Sequence, residues 1–215
     1  MNTGLNQLKT IKKILQKESD MDILKSILEA TNQDLDMIDM EKFNDLTMYD
    51  SEYQSFFNKM SGIEHYRLLV YISKLFNNSV LFDIGTNRGY SAIALSANPT
   101  NRVISYDIVK MSNVDNIKNS PYNTNIEFKI GNFMELEDVH QTKFILLDTV
   151  HDGTSEFEVI QFLKEVKWNG ILLLDDIDCE YFPVLNDVWN NLDLEKYNIT
   201  KKGHWSGSGL AIFKG

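Results

Sequence analysis

Acidic residues follow several short apolar runs in this chain, where an α/β protein keeps its chemistry. Val80, Leu81 and Phe82 lead into Asp83. A turn containing Gly85, Thr86 and Gly89 comes next, and then the small and apolar residues of Tyr90–Ala97. Strand, glycine turn and helix bring backbone N–H groups close to a ligand. Gly85 lets the chain turn tightly, and Gly89 is expected to let a ligand lie against the backbone. Asp107 ends the next apolar run, Arg102–Asp107. An acid about 20 residues beyond such a turn is placed to hold a ribose diol. Two further runs end in acids, Phe144–Asp148 and Gly170–Asp176, the latter with Asp175 and Asp176 in tandem. If these strands lie side by side and parallel, Asp148, Asp175 and Asp176 converge. Clustered carboxylates repel one another unless protons or a cation offset them. Mg²⁺ takes hard oxygen ligands and completes its octahedron with water and substrate. His151, three residues past Asp148, has an ordinary pKa of about 6.5 and can accept a proton near neutrality. The plainer alternatives are that Asp175 and Asp176 cap a turn and that His151 is structural.

The glycine spacing narrows the cofactor. The pattern is Asp83-x-Gly85-x-x-x-Gly89, without the middle glycine that makes room for a dinucleotide pyrophosphate. No G-x-x-x-x-G-K-[ST] phosphate loop is present. The segment from Asp83 to Ser91 resembles the first motif of class I S-adenosylmethionine-dependent methyltransferases. It is most similar to the branch that holds catechol, sugar and macrolide O-methyltransferases. The resemblance is strongest over residues 61–180. It implies S-adenosylmethionine as cofactor, and Asp148, Asp175 and Asp176 match that branch's metal ligands one by one, implying Mg²⁺. It also implies that His151 is the base, a position held by lysine in the catechol enzymes and by histidine in some sugar enzymes. Thr149 and Val150 depart from the glycine and acid more usual there. The implied reaction is in-line methyl transfer from a sulfonium to an oxygen, which asks the protein mainly to align and deprotonate.

Other residues complete the expected cofactor site. Gly131 and Asn132 follow the run Ile126–Ile130. The resemblance implies that Asn132 holds the adenine edge, with Phe133 or Ile108 as an apolar wall; a simple Gly-Asn turn is the alternative. Ser91 and Glu64 are candidates for the methionine end, although an acid in the first turn of a helix has a structural reason to be there. Trp205, within Gly203–Gly209, is a candidate stacking surface for an acceptor, or else a buried hairpin residue.

The elements that must position these groups follow from periodicity. Strands are expected at 80–84, 102–107, 126–130, 143–148, 170–175, 197–203 and 209–214. Helices are expected at 63–76, 89–97, 111–119, 154–167 and 181–192, with Thr154 or Ser155 capping the fourth. The fold class is α/β: a Rossmann-like, doubly wound, seven-stranded and mostly parallel sheet with an antiparallel edge strand from a terminal hairpin. Residues 61–215 form that unit, and residues 1–60 form a helical cap. In the cap Leu8, Ile11, Ile14 and Leu15, then Ile23, Ile27 and Leu28, recur at helical spacing, with a break at Asn32–Asp34. Residues 34–50 read as a cap on the sheet edge, or alternatively as a lid over the site.

At 215 residues and a net charge of -10, the chain has a sizeable core and lacks the basic face of a general nucleic-acid binder. No apolar run reaches the ~18 residues of a membrane span, and no signal-peptide stretch is present. Cys179 is alone, excluding an internal disulfide and a cysteine metal cluster. These features point to the cytoplasm. The expected partner is a small-molecule or glycan acceptor with a hydroxyl or vicinal diol; a homo-oligomer is left open, and neither nucleic acid nor membrane is expected. The reading that fits best is a Mg²⁺-assisted O-methyltransferase acting on a sugar hydroxyl in glycan or natural-product biosynthesis. The alternatives are a catechol or phenol acceptor, a metal-free small-molecule methyltransferase, and a non-catalytic cofactor-binding scaffold.

Overall fold

The computed structural model describes residues 20–50, 57, 59, 62–110, 112–136 and 139–215. The helical pattern through Leu8, Ile11, Ile14 and Leu15 lies outside these residues. Seven strands form one sheet: β1 (Val80–Ile84), β2 (Arg102–Asp107), β3 (Ile126–Ile130), β4 (Thr142–Leu147), β5 (Asn169–Asp175), β6 (Glu195–Asn198) and β7 (Ser208–Lys214). Their order is β3-β2-β1-β4-β5-β7-β6. The first five are parallel, and β7 runs antiparallel to both β5 and β6. The terminal hairpin therefore forms, with its reversed strand one place in from the edge. The expected strand 197–203 is corrected to Glu195–Asn198. Residues 200–203 instead form a turn, closed by bonds from Lys202 and Gly203 N–H to the Ile199 carbonyl.

Among the described residues the α-helices of four residues or more are α1 (20–29), α2 (Asn32–Asp36), α3 (Asn44–Thr47), α4 (Ile63–Leu75), α5 (Tyr90–Leu95), α6 (Ser112–Asn119), α7 (Thr154–Glu165) and α8 (Pro183–Asn190). The expected break at Asn32–Asp34 falls two residues earlier. Thr31 caps α2, and Asp34 returns a bond to the Thr31 backbone, so those polar residues start a helix rather than end one. The cap of α7 is also corrected. Asp152 Oδ1 accepts from Thr154 N and Ser155 N, and Glu156 Oε2 accepts from Gly153 N. Neither Thr154 nor Ser155 supplies the capping oxygen.

The core lies on both faces of the sheet. On one face α4 and α5 bury Leu68, Leu69, Ile72, Ile93 and Leu95 against Leu81, Phe144 and Leu173. Leu35, Ile38, Met40, Phe43 and Leu46 of the N-terminal region join that cluster. Each such side chain contributes about 1.5–3 kcal/mol when fully buried, and α2 packs on α4, so the apolar residues of 34–50 add to the helical layer on that side of the sheet. On the other face Phe82, Tyr106, Phe133, Leu147, Ile160 and Trp189 form a second cluster. Among the described residues no helix is long and apolar enough to cross a membrane.

The strand ends are tied together past the end of the ladder. Asp148 N donates to Ile84 O, Gly85 N to Tyr106 O, and Gly131 N to Asp107 O, each at 2.9 Å. Gly85 has φ +103°, and a Cβ there would stand 1.6 Å from the Asp148 carbonyl oxygen. No side chain fits in that space. Gly85→Ala should lower stability by about 3 kcal/mol or more, combining overpacking with left-handed strain, seen as a lower urea midpoint with an unchanged m-value.

Candidate active site

Two hollows open at the carboxyl ends of the strands. A cleft of about 470 Å³ is lined by Gly85, Asn87, Tyr106, Asp107, Ile108, Gly131, Asn132, Phe133, Asp148 and His151, among others. A smaller hollow of about 200 Å³ is lined by Tyr66, Gly85, Thr86, Asn87, Arg88, Tyr90, Ser91 and Asp148. They share Gly85, Asn87 and Asp148, so together they make one groove across β1, β2 and β4. The cleft has the size of a small-ligand site.

The glycine turn is held from three sides. Asp107 Oδ2 accepts from Asn87 N at 2.9 Å, and its Oδ1 accepts from Val109 N at 3.0 Å. Each oxygen keeps a lone pair for a ligand hydroxyl. Arg88 pairs with Asp50 of the cap at 2.7 Å, and the Arg88 carbonyl accepts from Asn113 Nδ2 at 2.6 Å. Thr86 Oγ1 shares a 2.6 Å bond with Ser105 Oγ. Asn132 Oδ1 accepts from Met134 N at 3.0 Å, which leaves its amide nitrogen for the cleft. Ile108 is exposed at the wall, and Phe133 is buried against Phe82, Tyr106 and Phe162.

Three residues expected at the cofactor stand elsewhere. Asp83 lines neither hollow: it is fully buried and accepts from Ser105 Oγ at 2.6 Å. At Gly89, where a ligand was expected to approach, a Cβ would meet Ile117 at 2.9 Å and Phe128 at 3.4 Å. Close packing of α5 on the sheet, together with φ +81°, accounts for that glycine. Glu64 lines a separate hollow of about 150 Å³ with Arg67, His204 and Trp205. Trp205 is 56% exposed, so the buried-hairpin account does not hold.

The strand-end acids divide into two groups. Asp148, His151 and Asp176 come together: His151 Nε2 is 3.5 Å from Asp148 Oδ1 and 3.4 Å from Asp176 Oδ2. Asp175 turns the other way, toward His65 and His204. Burial, then the charges of Asp175 and Asp176, raise Asp148 well above the usual carboxylate range. Although burial pushes Asp175 up, His65 and His204 bring it below its ordinary value.

Glu156 holds the His151 loop. Its Oε1 accepts from Thr149 Oγ1 at 2.5 Å and from His151 N at 2.9 Å, and it is 1% exposed. Glu156 stands in the first turn of α7, where an acid is ordinary; the burial that makes it a loop anchor has no sequence signature. The His151 ring lies 4.5 Å from that of Phe182. Asn87, His151 and Asp176 all have positive φ, at 43°, 62° and 60°. Strain of this kind persists where the surroundings over-determine the backbone.

Neither a family model nor a curated protein matches the sequence. Solved structures do match the fold. An O-methyltransferase from Bacillus cereus in complex with S-adenosylhomocysteine superposes with a TM-score of 0.56 at 13% identity, over 83% of this chain and 93% of that one. A methyltransferase from Geobacter sulfurreducens gives 0.56 at 11% identity, over 83% and 90%. The N-methyltransferase NodS from Bradyrhizobium japonicum, also with S-adenosylhomocysteine, gives 0.51 at 14%, over 80% and 97%. The chain has the fold of class I S-adenosylmethionine-dependent methyltransferases. Both O- and N-methyltransferases share it, so the architecture does not choose the acceptor atom.

Burial pushes Asp83 up to about 6. Between pH 4 and 6 the folded state then holds a proton that the unfolded chain has released, so stability falls as pH rises through that window. Above about pH 6 the ionised, buried carboxylate costs up to about 3 kcal/mol. Asp83→Asn should gain up to that amount near neutral pH and nothing near pH 4, as measured by urea unfolding at both.

Proposed function

We propose that this protein is an S-adenosylmethionine-dependent O-methyltransferase that uses Mg²⁺ and acts on a sugar hydroxyl. The observation that carries the reading is the single groove running from Asp107 at one end to Asp148, His151 and Asp176 at the other. The fold shared with S-adenosylhomocysteine-bound methyltransferases supports the cofactor class.

The residues suit both groups. Gly131, at φ +151° and with no atom within 4 Å of an added Cβ, leaves an open cradle. Asp107 presents two oxygens to a ribose diol, Asn132 an amide to the adenine edge, and Ile108 an apolar wall. Thr86 and Ser91 border the smaller hollow, where a carboxylate and an ammonium can be received. At the other end, the raised Asp148 carboxyl and the buried, unpartnered Nδ1 of His151 mark an electrostatic deficit. A divalent cation held by Asp148 and Asp176 relieves it.

When bound, S-adenosylmethionine supplies a methyl group already activated on a sulfonium, and Mg²⁺ lowers the pKa of a hydroxyl beside it. The chain's own residues align and deprotonate. His151, fixed by Glu156 through its backbone and by Phe182 through its ring, takes the acceptor proton on an imidazole nitrogen. The Gly85 turn and Asp107 hold the donor in line, which supplies the entropic part of the rate. The sugar preference rests on His151 with Asp148 and Asp176 and on the exposed Trp205 of the neighbouring hollow, reached through His204, where a pyranose ring can stack.

Given S-adenosylmethionine and a nucleotide sugar or glycoside as acceptor, purified protein should release S-adenosylhomocysteine and form the methyl ether with Mg²⁺ and not with EDTA. Turnover of catechols alone moves the acceptor class, and turnover that survives EDTA removes the metal. Asp107→Ala should weaken cofactor binding roughly tenfold or more in calorimetry, at the ~1.5–3 kcal/mol typical of a charged hydrogen bond. His151→Ala should keep cofactor binding and lower kcat by ~10²-fold or more; an unchanged kcat excludes it as the base.

A further inference from the structure

Asp175 is the tandem acid that the groove does not use. His65, in the first turn of α4, sits 5% exposed with Nδ1 3.5 Å from Asp175 Oδ1. That nitrogen makes no hydrogen bond among the described residues. His204, on the connection between β6 and β7, brings Nδ1 to 3.9 Å from Asp175 Oδ2 and 3.6 Å from Asp176 Oδ1. The two imidazole rings are 5.5 Å apart. One donor atom from each of His65, Asp175 and His204 lies within 4.8 Å of the others.

We infer that His65, Asp175 and His204 form a second metal site, selective for a divalent transition-metal ion such as Zn²⁺ or Fe²⁺ over Mg²⁺. Donors bound at ~2.1 Å in a tetrahedron stand roughly 3.4 Å apart; the His65–Asp175 pair, at 3.5 Å, already has that spacing, and His204, at 3.9 Å, has to close in on the ion. Two imidazoles and one carboxylate suit Zn²⁺, Fe²⁺ or Co²⁺, whereas carboxylate, carbonyl and water suit Mg²⁺. The neighbouring Asp148–His151–Asp176 group is richer in oxygen, so two sites of different hardness adjoin through consecutive aspartates. An outer partner is present: Ser208 Oγ donates to Asp175 Oδ1 at 3.2 Å, orienting the carboxylate as second-shell groups do at metal centres. Ser206 Oγ now hydrogen-bonds His204 Nδ1, and a hydroxyl can turn to another partner when that nitrogen takes an ion. The hollow lined by Glu64, Arg67, His204 and Trp205 gives a path in. Bound there, an ion joins α4, the end of β5 and the β6–β7 connection. The inference concerns donor atoms alone and does not rest on the transferase reading.

The full chain, stripped with EDTA, is titrated with Co²⁺ in excess Mg²⁺, following the visible spectrum and the paramagnetically shifted imidazole N–H signals. One Co²⁺ should bind, with signals from two histidines, and should raise the melting temperature. His204→Ala and His65→Gln should each weaken Co²⁺ by at least the ~10–100-fold that loss of an outer-shell partner costs, while His151→Ala leaves it unchanged. Absence of binding, displacement by Mg²⁺, or a site lost in His151→Ala and kept in His204→Ala overturns the inference. Should a variant fail to fold, the wild-type spectrum decides: two shifted histidines support the site and fewer overturn it. Cofactor binding, read separately by melting with S-adenosylhomocysteine, tests the other reading.

Discussion

The approach of the Asp148 carbonyl to Gly85 is the constraint on which the site depends. The carbonyl occupies the volume that a side chain at Gly85 would fill, and the Asp148 N–H is bonded to Ile84. The glycine turn after β1 and the loop after β4 are thereby pressed together at their roots. Everything at one end of the groove is measured from the first, and everything at the other end from the second. A parallel sheet provides this closeness because adjacent strands end at the same level.

On that base the loops are held by carboxylates, the partly exposed Asp107 and the buried Glu156, rather than by apolar packing. Asp107 accepts two backbone N–H groups, and Glu156 accepts bonds from Thr149, His151 and Gly153. Both acids satisfy N–H donors that the turns would otherwise leave unpaired. The positive φ of Asn87, His151 and Asp176 is sustained by such bonds and by the sheet behind them. The side chains of the site are therefore directed by backbone conformations that these residues would not adopt alone.

Much of this was legible in the sequence. β1 and β2 fall at the residues their apolar runs mark, because a strand buried on both faces reads as an apolar run, and β3, an edge strand, is marked instead by the alternation of apolar and charged residues in Ile126–Ile130. The acids at positions 107, 148, 175 and 176 announce strand ends. The division of Asp175 from Asp176 was not legible, because neighbours at a strand end point to opposite sides, and which side meets His65 depends on where α4 packs. His65 itself carried no signal beyond its place beside Glu64. Gly89 misled because a glycine needed for helix packing and one needed for ligand approach look alike in sequence. The 197–203 strand ran short because Thr200–Gly203 turn back over the sheet edge, a tertiary preference that overrides the β-propensity of Ile199 and Thr200.

The hollow beside Trp205 has walls of three origins. Glu64 and Arg67 come from α4, which the core clamps. Asn32, Leu35 and Asp36 come from the cap, and Lys202, His204 and Trp205 from the β6–β7 connection. None of these last six belongs to a strand, and none touches the register that holds Gly85 against Asp148. Leu35 is tied to the core and His204 to Asp175 and Asp176, but Asn32, Asp36, Lys202 and Trp205 can be exchanged, reshaping that hollow while the groove stays as it is. Inheritance could therefore vary the two ends of the molecule at different rates: a conservative floor set by strand pairing, and a replaceable rim.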